Sequence, residues 1–192
     1  MATVTRLYDD YTQAQQAVHS LEAAGIPASD ISIAANNAEG WYDGRDRDGS
    51  NAAAGAGVGV AVGGAAGVLT GLGMIAIPGV GPIVAAGWLA SLAAGAVAGG
   101  ATGGIIGALT EAGVSEDEAN VYAEGLRRGG SIVTVRTSDN STARVESILD
   151  TSAVNWRTRS DTWRNDGWNR YDPAASPYTA DQVRNERGRY LG

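Results

Sequence analysis

Apolar and polar residues alternate from Ala2 to Tyr8, with Val4 and Leu7 set among Thr3, Thr5 and Tyr8, and that alternation predicts a half-buried strand. The period then changes. Ala14, Ala17, Val18, Leu21 and Ala24 recur at three-four spacing, which puts them on one face of a helix that Asp10 or Thr12 can cap. Gly25 supplies a left-handed stop, followed by Ile26 and Pro27, and residues 30–34 predict a second strand. Further along, Ser115-Glu116-Asp117-Glu118 has the spacing of a capping box ahead of a helix that buries Ala119, Tyr122, Ala123 and Leu126. Arg127 and Arg128 suit the negative end of its dipole, and Gly129-Gly130 ends it. Residues 131–136 form the strongest strand pattern in the chain. Ser138 or Asp139 then caps a helix with Val145, Ile148 and Leu149 inward, and residues 153–156 suggest a short closing strand.

Between these two pieces the pattern is of another kind. No residue from Gly49 to Thr110 carries a charge, and glycines recur every fourth position at Gly55, Gly59, Gly63, Gly67 and Gly71. Beyond a break at Pro78-Gly79-Val80-Gly81-Pro82 the spacing resumes at Gly87, Gly95, Gly99, Gly103 and Gly107, with Ser91 in the one gap. On a helix, residues four apart share a face, so each ladder is a stripe without side chains along which a second backbone can approach closely. Two antiparallel arms, residues 53–77 and 83–109, are therefore expected, with Pro78, Gly79, Gly81 and Pro82 as the turn. Glycine costs about 1 kcal/mol against alanine in an exposed helix, so such arms need close packing or lipid around them.

The fold class that follows is α+β: a small ferredoxin-like βαβ-type sheet domain, with helices on one face, interrupted by a long Gly/Ala-rich antiparallel helical hairpin. The expected organisation is a discontinuous head (1–36 and 114–156), a polar linker (37–52), the glycine-zipper hairpin (53–109) and a tail (157–192). The tail is polar and rich in Arg, Asp and Asn, a composition that predicts disorder in isolation.

Charge and composition sharpen this. The chain carries a formal −7, yet from Trp156 onward seven arginines face five acids, so the body is the acidic part. Trp156, Trp163, Arg164, Trp168 and Tyr171 interleave rings and guanidinium groups, and the expected use is docking of the tail onto an acidic body, that of another copy. The tail's small positive surplus argues against nucleic acid. No cysteine is present and His19 is the sole histidine, which removes thiol chemistry, catalytic triads and His-based metal sites; no metal, cofactor or catalytic residue is expected. No basic, apolar leader opens the sequence, and the expected setting is bacterial, cytoplasmic or at the inner membrane.

The run Ala76-Ile77-Pro78-Gly79-Val80-Gly81-Pro82-Ile83-Val84-Ala85-Ala86-Gly87, the Gly/Ala ladder after it, residues 113–119 and the Gly125-to-Val135 stretch through Arg127-Arg128-Gly129-Gly130 resemble bacterial heat-induced general stress proteins with a glycine-zipper insertion. The resemblance covers about residues 3–156 and implies a stress-related, non-enzymatic role. Joined to the ladder, it gives the leading expectation: a stress protein that associates with itself through the hairpin, in a lipid bilayer or as a soluble higher-order assembly. The other reading is a membrane-anchored binding or sensor module whose head recognises a ligand or partner.

Overall fold

The computed structural model describes residues 2–43, 68, 72–98 and 104–190. Five strands form one antiparallel sheet: β1 (Ala2–Tyr8), β2 (Ile31–Asn36), β3 (Gly73–Ile77), β4 (Gly81–Gly87) and β5 (Ser131–Thr137), in the order β1-β5-β2-β4-β3. Seven helices accompany them among the described residues: α1 (Tyr11–Ala23), α2 (Trp88–Ala98), α3 (Gly104–Glu111), α4 (Glu116–Arg127), α5 (Thr142–Leu149), α6 (Trp156–Asn165) and α7 (Ala180–Gly188).

The local signals act as the sequence suggests. Asp10 accepts from Gln13 N at 2.9 Å to start α1, and Gly25, at φ +83°, follows its end. Ser115 accepts from Glu118 N at the start of α4, but the second half of the box differs: the Ser115 hydroxyl donates to the Glu118 carboxylate at 2.9 Å. The closing strand shrinks to one bridge, Leu7 to Val154, and Trp156 already opens α6.

Strand periodicity of two sorts the core into two layers. Leu7, Ala34, Ile83, Ala85 and Ile132 face α2, α3, α4 and α6. Val4, Tyr8, Ile31, Ile33, Val84, Ala86, Val133 and Val135 face α1 and α5. Helices thus cover both faces of the sheet, not one as expected: α4 lies opposite α1 and α5, and α2 and α3, from the segment expected to leave the domain, join α4. Buried Tyr8 and Tyr122 each find an acceptor for their hydroxyl, Leu149 O and Thr5 O, both at 3.0 Å.

The largest departure lies at the Pro78–Pro82 break. Residues 73–77 and 81–87 are not helical arms; they pair as a β-hairpin, with Ile75 opposite Ile83, and the hairpin extends the sheet beyond β2. Pro78, Gly79 and Val80 turn it, Gly81 opens β4, and Pro82 presents its carbonyl to Asn37 N at 2.8 Å. β-Branched Ile75, Ile77, Ile83 and Val84 favour strand, and apolar residues on both faces remove the alternation that would have announced it. The ferredoxin-like order is not what forms, since this hairpin supplies two of the five strands. Gly87 is a junction and not a ladder rung: at φ +89° it turns β4 into α2 against Ser32 of β2, whose hydroxyl accepts from Leu89 N at 3.2 Å. Gly55, Gly59, Gly63, Gly67, Gly71, Gly99 and Gly103 lie outside the described residues.

Candidate functional site

The tail is folded onto its own body, which corrects the expectation of a disordered segment that docks on another copy. Asn155 accepts from Arg157 N and Thr158 N to start α6, and Thr179 and Gln182 form a full capping box on α7. Aromatic anchors and ion pairs, more than an aliphatic stripe, hold both helices down.

At the centre is Trp163, 1% exposed, whose indole N–H donates to Glu186 Oε1 at 2.8 Å. The Arg128 guanidinium lies 4.7 Å from the Trp163 ring centroid and reaches Glu186 at 3.1 Å and Glu124 at 2.6 Å. Glu124, itself 1% exposed, also holds Arg127 at 2.9 Å. Two carboxylates and two guanidiniums therefore neutralise one another around an indole, the arrangement that makes burial of charge tolerable. Burial pushes the Glu186 carboxyl up, but Arg128 and the hydrogen bonds from Trp163, Arg128 and Arg189 outweigh it and hold the group below the usual carboxylate range. The stabilisation this carries is complete above the ordinary glutamate value of about 4.3 and disappears as pH falls through the lower folded value. Acidification below about pH 4 should therefore red-shift the Trp163 emission, and Glu186→Gln should remove that step. A wild-type spectrum constant down to pH 2 would contradict it.

Around this centre the body offers sockets where side chains are missing. A Cβ on Gly79 would lie 2.7 Å from the Tyr171 hydroxyl and 2.8 Å from Pro173 Cα; one on Gly81 would lie 2.9 Å from Pro177 Cβ. Tyr171 is buried and donates to Pro78 O, and burial pushes its phenol up to about 12. The hairpin-turn glycines expected to join two helices thus receive the tail. Val183 of α7 fills the space beside Gly129. The rim is ionic: Arg187 to Glu39 at 2.7 Å, Arg159 to Asp9 at 2.7 Å, and Arg170 to Glu116.

Of the expected docking residues, Trp163, Trp168 and Tyr171 come together, with the two indoles edge to face at 5.8 Å. Trp156 is half-buried against the core, while Arg164 stays on the surface of α6 beside Asp161. Sequence reasoning missed Glu124, Arg128, Val183 and Glu186, and Tyr178, whose ring centroid lies 4.6 Å from the Arg127 guanidinium. The Arg127-Arg128 pair was visible as a helix-end feature, but its carboxylate partner in the tail is 58 residues away. Between α4 and the loop from Gly167 to Pro173 lies an open groove of about 530 Å³, lined in part by Arg127, Trp168 and Asn169; the Trp168 indole N–H is itself buried without a hydrogen-bond partner.

On the remaining ladder positions, Ser91, Gly95 and Gly107 are exposed on the outer sides of α2 and α3, and no atom lies within 4 Å of a Cβ placed on Gly95 or Gly107. No helix among the described residues is long and apolar enough to cross a membrane. Comparison with curated proteins and with solved structures gives no significant match. Residues 3–73, from β1 through α1 and β2 to the start of β3, match the family model described as the heat induced stress protein YflT domain, and that match supports a role in the stress response.

Proposed function

We propose that the protein is a non-enzymatic stress-response protein that associates with itself in water through the small-residue stripe of α2 and α3. The observation that carries this reading is the outward placement of Ser91, Gly95 and Gly107. Inward positions Leu89, Ala93, Ile105, Ala108 and Leu109 already fix the helices to the sheet, and the glycines meet no packing partner among the described residues. A stripe of this kind lets two backbones approach closely, and α2 and α3 rest their apolar side on the sheet of the head, which favours an assembly in water over a bilayer anchor.

Gly95→Leu tests it. Leucine is the better helix former by roughly 0.8 kcal/mol and meets open space within the chain, so the fold should hold or gain stability. The oligomer seen by light scattering should shrink. An unchanged oligomer, or a wild-type chain that is monomeric at every concentration, would overturn the reading. The groove between α4 and residues 167–173 favours a second reading, a small binding module, in which Arg127 and Asn169 would meet a polar ligand.

A further inference from the structure

We propose that the outer edge of β3 is a pairing surface for a second copy of the chain, in which β3 meets β3 antiparallel across a two-fold axis. This goes beyond the stripe on α2 and α3 and uses a different surface.

The register identifies the free groups. Pro82 has no N–H and turns its carbonyl to Asn37, so the Ala76–Pro82 and Met74–Val84 pairs are the non-hydrogen-bonded ones of the β3–β4 ladder. In an antiparallel pair, residues at such positions point their own N–H and C=O away from the partner strand. Met74 and Ala76 therefore present two donors and two acceptors outward, and no strand among the described residues takes them. The edge also lacks the usual protection: Gly73-Met74-Ile75-Ala76-Ile77 has no charge and no proline.

Exposed apolar surface gathers at the same place. Met74, 46% exposed, and Trp41, 41% exposed, are the large hydrophobic side chains left open among the described residues. They are linked. Asn37 contacts Met74 Sδ at 3.6 Å and donates to Tyr42 O at 2.8 Å, and Tyr42 sits edge to face with Trp41 at 6.0 Å. Trp41 in turn stacks on Tyr11 of α1 at 4.4 Å, which holds it in place without covering it.

Area and charge select the occupant and its strength. Every strand pair in the sheet is antiparallel, so an antiparallel β3–β3 contact continues it as one ten-stranded sheet under a self-complementary, closed symmetry. A five-residue edge is about 17 Å long, and with Met74 and Trp41 it falls short of the roughly 1,200 Å² of a stable interface. The dimer is therefore weak and reversible. Each copy carries −7, so two bodies repel one another everywhere except where they are neutral, and β3 with β4 behind it is such a place. Salt, which screens that repulsion, strengthens the contact; a basic partner would show the reverse dependence.

Sedimentation velocity of the full chain over a wide concentration range, in about 0.05 and 0.5 M NaCl, tests this. The expected result is a monomer–dimer equilibrium that tightens at least tenfold at high salt. Met74→Lys should weaken it at least tenfold while Met74→Leu leaves it within a factor of about two, and circular dichroism should be unchanged in both. Gly95→Leu should leave this salt-strengthened step intact, which separates it from association through α2 and α3. The proposal is overturned by a dimer that Met74→Lys does not touch, by one that salt weakens, or by a chain that stays monomeric with respect to this step at every concentration, as an edge reserved for an unlike partner would.

Discussion

Replacing Trp163 by alanine should cost about 3–5 kcal/mol, the range for removing a fully buried large aromatic, against a total stability of about 5–15 kcal/mol for a domain of ordinary size. Three losses coincide. The cavity under α6 forfeits the packing of the largest fully buried side chain in the core. Arg128 loses the ring face it lies on, and Trp168 loses its edge-to-face neighbour. Glu186 loses its indole donor and must share Arg128 and Arg189 in a site now open to water. The conservative change Trp163→Phe separates these terms, since it refills most of the volume and deletes only the N–H; it should cost about 1–3 kcal/mol. Urea denaturation measures both, and limited proteolysis between Trp156 and Tyr190 reports whether the tail has come away. An alanine variant that loses less than 1 kcal/mol and resists protease like wild type would show that the tail is held by its rim of ion pairs alone.

The parts of this fold that could be read in the sequence are those with a local cause. β1, α1, β2, α4 and β5 each announce themselves through a period of two or three-four, a capping side chain or a glycine stop, and each forms where the pattern places it. The β3–β4 hairpin was hidden because its strands are apolar on both faces. A continuous apolar run cannot distinguish strand from helix, and the four-residue glycine spacing laid over it tipped the reading to helix. The corrective signal was present: β-branched residues on both sides of a Pro-Gly turn are a hairpin signature. The tail was hidden for another reason. Its composition is that of a disordered segment, and what orders it is long-range: Glu186 and Val183 act only because Arg128 and Gly129, just past the end of α4, wait for them. Neither its caps at Asn155 and Thr179 nor its docking site is read from that composition.

The clasp also accounts for the charge split along the chain. Arg159, Arg170 and Arg187 meet Asp9, Glu116 and Glu39, so the basic surplus of the tail is spent on the acidity of the body that carries it. Most of the tail's cations are thus engaged within the fold. Among the described residues the small-residue stripe of α2 and α3 and the edge of β3 are uncharged surface that stays open.

Gly129→Ala should have the second large effect, and its cause can be isolated by comparison with Gly25→Ala. Both glycines follow a helix at positive φ, +103° and +83°, where an L-residue costs roughly 1–2 kcal/mol. Around Gly25 no atom lies within 4 Å of a Cβ, so that conformational term is all the substitution should cost. At Gly129 the new methyl would also fall on Val183, with Val183 Cβ at 3.2 Å, in a core position that is fully buried. Overpacking adds about 1–3 kcal/mol, and relief requires α7 to lift away. Lifting α7 withdraws Glu186 from Arg128 and Trp163, so the local clash spreads through the clasp. Gly129→Ala should therefore destabilise by roughly 2–5 kcal/mol and expose the tail to protease, while Gly25→Ala costs only the conformational part and leaves the tail protected. Adding Val183→Ala to Gly129→Ala should recover part of the loss, a favourable coupling of the kind that contacting residues show in a double-mutant cycle. Equal costs at Gly25 and Gly129, with no recovery from Val183→Ala, would mean that α7 does not rest on the end of α4.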